Sequence, residues 1–158
     1  MARTQSLIIM QFFVEKIIRL QIGWNERPLS EADFYRLCKR HKVSVEEMPL
    51  RVGGFYYRMM GRDFIAVNSR LRNGEKLEVM FHELGHFLFH TPETGETANF
   101  HGVGRRTRKE READIFALCA IIPKCWVENR RPHELVEDEG LSASMVAARH
   151  EISRRYGI

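Results

Sequence analysis

Two histidines and a glutamate of this chain have the spacing that a helix needs to bind a catalytic metal. His82, Glu83 and His86 form the pattern H-E-x-x-H. At about 100° per residue, His82 and His86 share one helical face a turn apart, so both imidazoles can reach one Zn²⁺. A catalytic zinc takes three protein ligands and binds a water whose pKa falls to about 7. Glu83 is therefore expected to be the general base that takes the proton of this zinc-bound water as it attacks a carbonyl.

The pattern alone is only moderately specific, because a buried amphipathic helix with two hydrogen-bonded histidines would show it too. The neighbouring residues favour the metal site. An apolar stripe predicts a largely buried helix over residues 76–90. Burying two imidazoles and a carboxylate there costs free energy unless they are paired or bind a metal. Gly85 costs a helix about 1 kcal/mol relative to alanine, which indicates that another element packs too closely for a β-carbon.

A second buried helix, predicted over residues 110–123 and stopped by Pro123 or shortly after it, supplies a third ligand. Glu110 and Asp114 are four residues apart and share a face. This spacing suits a glutamate ligand followed by an aspartate that accepts the outward N–H of a ligating histidine. Glu112 lies about 200° round the axis from Glu110 and is expected to contribute little to the metal site.

Two alternatives remain open at this site. Thr107 and Glu110 fit the capping-box pattern, in which the glutamate reaches back to the N-cap amide, although the upstream motif favours Glu110 as a ligand. His90, one turn beyond His86, is another candidate ligand. Because a helix rarely presents three successive turns to a tetrahedral metal, a structural or supporting role is favoured for His90.

Taken together, these motifs resemble those of the ImmA/IrrE family of metallopeptidases, also called the M78 peptidases. The sequence HELGHFLFH at 82–90 is followed by an E-x-x-A-x-x-F-A helix that ends in a proline. Upstream, the G-F-Y element at 54–56 and the segment 64–71 resemble the strands before the family's zinc helix, and segment 141–149 resembles its closing helix. The resemblance covers roughly residues 28–158. The residues before Pro123 depart from the family's leucine- or methionine-rich run, but no ligand is lost.

The resemblance implies a zincin-like α+β fold and a gluzincin-like zinc site, with His82, His86 and Glu110 as ligands and Glu83 as general base. It also implies an endopeptidase that cleaves a protein partner, a helix-turn-helix transcriptional repressor. Cleavage would then regulate transcription in a stress response or in induction of a mobile element. A non-catalytic antirepressor, in which zinc serves the structure, is the alternative.

The other elements are predicted to complete a single domain over residues 1–158, mostly helical with a small three-stranded antiparallel sheet. Ser30 is the expected N-cap of a helix over 29–42, with Asp33 three residues on. Residues 43–48 alternate apolar and polar side chains, as a half-exposed strand does.

Two further strands, over residues 54–59 and 64–67, are expected to form a hairpin across Gly61, Arg62 and Asp63. A long polar loop over 91–108 then joins the two metal helices and is expected to border the cleft. His101 is one residue of this loop that could stabilise an oxyanion, but the sequence pattern does not distinguish it from the other loop residues.

The net charge of +4 and a basic cluster over residues 105–111 raise the possibility of nucleic-acid binding. Such a cluster is more typical of a solvated face or of a dock for an acidic partner. The last helix also carries arginines, but its apolar stripe predicts docking on the core, so direct nucleic-acid binding is not expected. The stripe consists of Leu141, Met145, Ala148, Ile152 and Tyr156.

The apolar run over residues 7–14 has some features of a signal peptide. It lacks a small-residue cleavage site, and charged residues follow it before it reaches membrane-spanning length. A buried or partner-covered helix, no membrane association and a cytoplasmic location are therefore predicted. The three cysteines have no C-x-x-C spacing, which agrees with this location.

Overall fold

The computed structural model describes residues 2–90, 97–100 and 107–158. Within these ranges the chain is mostly helical with a small sheet, the α+β class that was predicted. The elements in chain order are α1 (Ala2–Ile18), α2 (Glu31–Arg40), β1 (Val43–Met48), β2 (Gly54–Met59), β3 (Arg62–Asn68), α3 (Asn73–His90), β4 (Thr97–Phe100), α4 (Arg108–Ile121), α5 (Lys124–Asn129), α6 (Pro132–Glu139) and α7 (Ala143–Tyr156).

The sheet is mixed, and the prediction of an antiparallel sheet is wrong. Its strand order is β1-β3-β2-β4, so a short fourth strand adds to the three that were predicted. β2 pairs antiparallel with β3 and β4, whereas β1 runs parallel to β3, with Val45 opposite Ile65. The physical reason is that the chain leaving β1 crosses to the far side of β3 before it begins β2.

The side chain of Asn68 holds this crossing connection in place. Its Nδ2 donates to the carbonyl of Leu50 at 3.2 Å, and its Oδ1 accepts from the Leu50 N–H at 3.3 Å. The main-chain N–H of Asn68 also donates to the carbonyl of Gly53 at 2.8 Å. Residues 49–53 are thereby fixed beside the end of β3, which lets β1 and β2 lie on opposite sides of it.

The turn between β2 and β3 is tighter than predicted. It consists of Met60 and Gly61, whose φ values of 51° and 72° are typical of a type I′ hairpin turn. Arg62 and Asp63, which were expected in the turn, are the first residues of β3. The hairpin itself is confirmed.

Helices α3 and α4 cross closely at Gly85. An ideal β-carbon there would lie 3.1 Å from Cδ1 of Phe116 and 3.4 Å from Cα of Ala113. The close packing predicted from this glycine is therefore confirmed. The crossing brings Glu110, in the first turn of α4, alongside the histidines of α3.

Helix α4 lies in the core, where residues 115–122 are all buried. Three N–H donors from other parts of the chain bond to main-chain carbonyls in α4 or just after it. These bonds fix the position of the helix relative to the segments that carry the donors. These bonds run from Trp24 Nε1 to Phe116 O at 2.8 Å, from Leu29 N to Ala120 O at 2.8 Å, and from Arg149 Nε to Ile122 O at 2.7 Å.

The apolar run near the N-terminus forms part of α1, which has one face on the core. Met10, Phe13 and Ile17 are buried, whereas Phe12 is 62% exposed. In the part of the chain that the structure describes, no helix has the length and apolar character needed to span a membrane.

The predicted start of α2 is confirmed. Ser30 caps the helix, and its side chain and that of Asp33 form a capping box. The apolar stripe of α7 faces the protein, with Leu141, Met145 and Ile152 buried, as its spacing predicted. Helices α5 and α6 were not predicted, since at six and eight residues they are too short to show a clear apolar period.

Candidate metal centre

Side-chain atoms of His82, His86 and Glu110 meet in a small triangle. The two Nε2 atoms lie 3.1 Å apart. Glu110 Oε2 is 3.2 Å from Nε2 of His82, and Glu110 Oε1 is 3.0 Å from Nε2 of His86. Both histidines are buried, whereas the Glu110 side chain is 26% exposed. The structure thus brings the three predicted ligands together within the reach of one ion.

The orientation of the two imidazoles fits a bound cation. Nδ1 of His82 lies 2.8 Å from Oδ1 of Asp114, and Nδ1 of His86 lies 3.0 Å from Nδ1 of His90. A neutral imidazole that donates from Nδ1 directs its Nε2 lone pair into the triangle. Two lone pairs and a carboxylate oxygen would then face one another at about 3 Å, which is favourable only with a cation or a proton between them.

The donor set is compatible with zinc. Two imidazole nitrogens and one carboxylate oxygen are the ligands of a catalytic zinc site. Tetrahedral bonds of about 2.0–2.1 Å place neighbouring ligand atoms about 3.3 Å apart, close to the 3.0–3.2 Å edges of this triangle. The residues present therefore fit the metal that the sequence motif indicates.

The main chain and the side chain of Glu110 have different contacts. Its main-chain N–H donates to Oγ1 of Thr107 at 3.2 Å, so Thr107 caps the start of α4. Its carboxylate, however, contacts His82 and His86. The main chain of Glu110 thus belongs to the helix cap, and its side chain belongs to the metal cluster.

Glu83 is buried next to this cluster and is held by the sheet. Its Oε2 accepts a hydrogen bond from the main-chain N–H of Tyr56 in β2 at 2.9 Å. Burial raises the pKa of Glu83 to about 8, against the opposing effects of His82 and of the Tyr56 N–H. Sequence reasoning missed the Tyr56 contact, because a main-chain donor leaves no signal in the residue type.

The acidic surroundings of His82 favour its protonated form. Burial lowers the pKa of His82, but hydrogen bonds with Asp114 and Glu110 outweigh it and raise the pKa to about 9. Glu78, one turn earlier on α3, was not singled out from the sequence. Burial, followed by the charge of Asp114, raises the pKa of the Glu78 carboxyl to about 7.

Glu112 lies outside the triangle, as its helical phase predicted, but it contacts His90. Glu112 Oε2 is 2.9 Å from Nε2 of His90, and Glu112 Oε1 accepts from Nε of Arg108 at 2.7 Å. Burial would raise the pKa of Glu112, yet these two partners hold it below its ordinary value. With Nδ1 towards His86 and Nε2 towards Glu112, His90 has the contacts of a supporting residue.

Part of the predicted cleft border lies outside the described residues. This applies to His101, which was one option for steadying an oxyanion, and to the remainder of segments 91–96 and 101–106. Of the basic cluster, Arg108, Lys109 and Arg111 are described, and all three are exposed.

The family model for the IrrE N-terminal-like domain of the M78 peptidases matches residues 38–157. The chain therefore belongs to the M78, or ImmA/IrrE, family of metallopeptidases. Both metal helices lie inside the matched region, whereas α1 lies outside it. Comparison with curated proteins and with solved structures finds no significant match.

Proposed function

We propose that this protein is a zinc-dependent endopeptidase that hydrolyses a peptide bond in a protein partner. The observation that carries the proposal is the convergence of His82, His86 and Glu110, with Glu83 directly after the first histidine and bonded to β2. Membership of a metallopeptidase family supports the same activity. The fold would then be zincin-like and the site gluzincin-like.

Each residue has a separate role in this proposal. His82, His86 and Glu110 would hold the ion, and Asp114 would fix the orientation of His82. When bound, zinc would polarise the substrate carbonyl and lower the pKa of a water to about 7. Glu83 would accept the proton of the attacking water and return it to the leaving amine. The hydrogen bond from the Tyr56 N–H joins one oxygen of the Glu83 carboxylate to β2.

The proposed substrate is a helix-turn-helix transcriptional repressor, and the reaction would take place in the cytoplasm. The support for this substrate is the resemblance to the ImmA/IrrE peptidases, joined to the family match. Cleavage would remove the repressor and so induce transcription, in a stress response or from a mobile element.

Substitution of the proposed base tests the activity. Glu83→Gln should keep the fold and the zinc but lose at least ~10²-fold of the cleavage rate, because it removes proton transfer and not a ligand. Glu75→Gln is the matched control, since Glu75 is an exposed carboxylate in the first turn of the same helix. The assay is the appearance of fragments when zinc-loaded protein is mixed with a candidate helix-turn-helix repressor.

Two results would contradict the proposal in different ways. Cleavage by Glu83→Gln at the wild-type rate would show that Glu83 is not the base. If the wild-type protein binds the repressor tightly with zinc in place but releases no fragments, the non-catalytic antirepressor replaces the peptidase.

A further inference from the structure

His90 connects the proposed ligand His86 to a carboxylate that lies outside the metal cluster. Its Nδ1 is 3.0 Å from Nδ1 of His86, and its Nε2 is 2.9 Å from Oε2 of Glu112. The other oxygen of Glu112 accepts from Nε of Arg108 at 2.7 Å. All three separations are hydrogen-bond distances, so a continuous chain of contacts runs from the metal cluster to the first turn of α4.

The protons of this chain have only one consistent arrangement when His86 binds a metal. A histidine that offers its Nε2 lone pair to an ion keeps its single ring proton on Nδ1. That N–H then donates to Nδ1 of His90, which must accept. The ring proton of His90 is therefore on Nε2 and donates to Glu112, whose second oxygen accepts from Arg108.

Packing alone does not account for these side chains. The His90 and Glu112 side chains are only 4% and 9% exposed, whereas that of Arg108 is 67% exposed. A buried imidazole and a buried carboxylate cost free energy unless each is hydrogen-bonded. An apolar ring at position 90 would fill the same space without that cost, so packing does not explain the polar pair, whose hydrogen bonds reach the proposed ligand His86.

The two proposed histidine ligands are held in different ways. His82 has a carboxylate directly behind it, with Asp114 at 2.8 Å. His86 has a second imidazole behind it, and the carboxylate of Glu112 follows one step further out. Ligating histidines generally donate their outward N–H to such a partner, which fixes the tautomer and the ring orientation.

We propose that His90, Glu112 and Arg108 form a hydrogen-bonded relay that positions His86 for the metal. His90 and Glu112 are thus positioning residues that act through His86. The proposal rests on the metal site of the proposed function and does not depend on which substrate is cleaved.

Zinc affinity of the purified full chain, measured by competition with a chelator, tests the relay. His90→Phe keeps a ring of similar size but loses both hydrogen bonds, and it should lower zinc affinity by ~10- to 100-fold. His90→Asn restores an acceptor facing His86 and should recover at least half of that loss on a logarithmic scale. The zinc affinity of Glu112→Leu should lie between those of the wild type and His90→Phe. In this variant His90 still accepts from His86, but His90 no longer has a carboxylate to donate to.

A control and a spectroscopic measurement separate positioning from general stability. His41→Phe makes the same substitution at a half-buried histidine whose ring packs against Phe87 of α3, 5.9 Å between centroids, and it should leave zinc affinity unchanged. In the Co²⁺-substituted protein, the visible absorption bands should shift in His90→Phe and return towards wild type in His90→Asn. Thermal unfolding of the metal-free variants reports whether each one folds.

The outcomes distinguish the relay from the metal site itself. Wild-type affinity and spectrum in His90→Phe would overturn the relay, and so would an equal loss in His90→Phe and His90→Asn, since packing would then be the cause. If His90→Phe does not fold, lower zinc affinity in Glu112→Leu than in the wild type supports the relay, and wild-type affinity in Glu112→Leu overturns it. A wild-type protein that binds no zinc would refute the proposed function as well.

Discussion

Zinc binding should release protons from this site, because the metal-free cluster holds them at neutral pH. The acidic partners of His82 raise its pKa to about 9, so most of the imidazole is protonated at pH 7. Zinc binds only the neutral ring. Glu83, whose pKa burial raises to about 8, is also mostly protonated at pH 7, and the charge of the ion favours its carboxylate. We expect about one to two protons to leave per zinc bound at pH 7.

The same pKa shifts determine how the apparent zinc affinity changes with pH. Each displaced proton makes the apparent zinc affinity rise ~10-fold per pH unit below the pKa of the group that loses it. His82 alone should therefore contribute a ~10²-fold gain between pH 6.5 and 8.5, with a plateau above about 9.

The stability of the metal-free protein should change in the opposite direction. The folded-state pKa values of His82 and Glu83 both lie above their ordinary values of 6.5 and 4.5. Below those ordinary pKa values, both groups contribute their full stabilisation to the folded state. This stabilisation is lost as the pH rises through about 9 for His82 and about 8 for Glu83. The melting temperature without metal should therefore fall between pH 6.5 and 9.

Calorimetric titration of zinc in two buffers of different ionisation enthalpy counts the released protons. Asp114→Asn should make the zinc affinity depend less steeply on pH, because it removes the main hydrogen bond that raises the pKa of His82. His41→Phe serves as the control, since it removes a histidine that is not part of the cluster, and it should release the same number of protons as the wild type. Zinc binding at pH 7 without proton release would refute this description of the metal-free site.

Three substitutions give further expected outcomes. Gly54→Ala should lower the free energy of unfolding in urea by about 1–3 kcal/mol, since the new β-carbon would lie 2.6 Å from Ala66 O and 2.7 Å from Val79 Cγ1; an unchanged midpoint would contradict this. Asp114→Ala should weaken zinc binding ~10- to 100-fold in a chelator titration, and wild-type affinity would show that His82 needs no such support. Glu110→Ala should weaken zinc binding more than Asp114→Ala does, because it removes a metal ligand. A smaller loss of zinc affinity in Glu110→Ala than in Asp114→Ala would exclude Glu110 as a ligand.

The parts of the site that could be predicted from the sequence depend on spacing within one helix. His82 and His86 are four residues apart on α3, and Glu110 and Asp114 are four apart on α4, so helical geometry alone places each pair on one face. Gly85 then indicated the close approach of another element, and α4 fulfils that expectation.

The parts that were missed depend on contacts between distant segments. The alternation of residues 43–48 identifies a strand but carries no information about its direction, which the Asn68 side chain helps to set. The bond from the Tyr56 N–H to Glu83 involves a main-chain donor common to almost every residue. The pairing of His90 with Glu112 requires the crossing angle of α3 and α4, which neither helix specifies alone.

Metal analysis of purified protein tests the central claim most directly, namely that His82 and His86 hold a catalytic zinc together with Glu110. Native mass spectrometry of the wild-type chain should show one zinc per chain, and the double variant His82→Ala, His86→Ala should show none while remaining folded. Zinc retained at full stoichiometry in the double variant would contradict the account, because the metal would then be bound elsewhere.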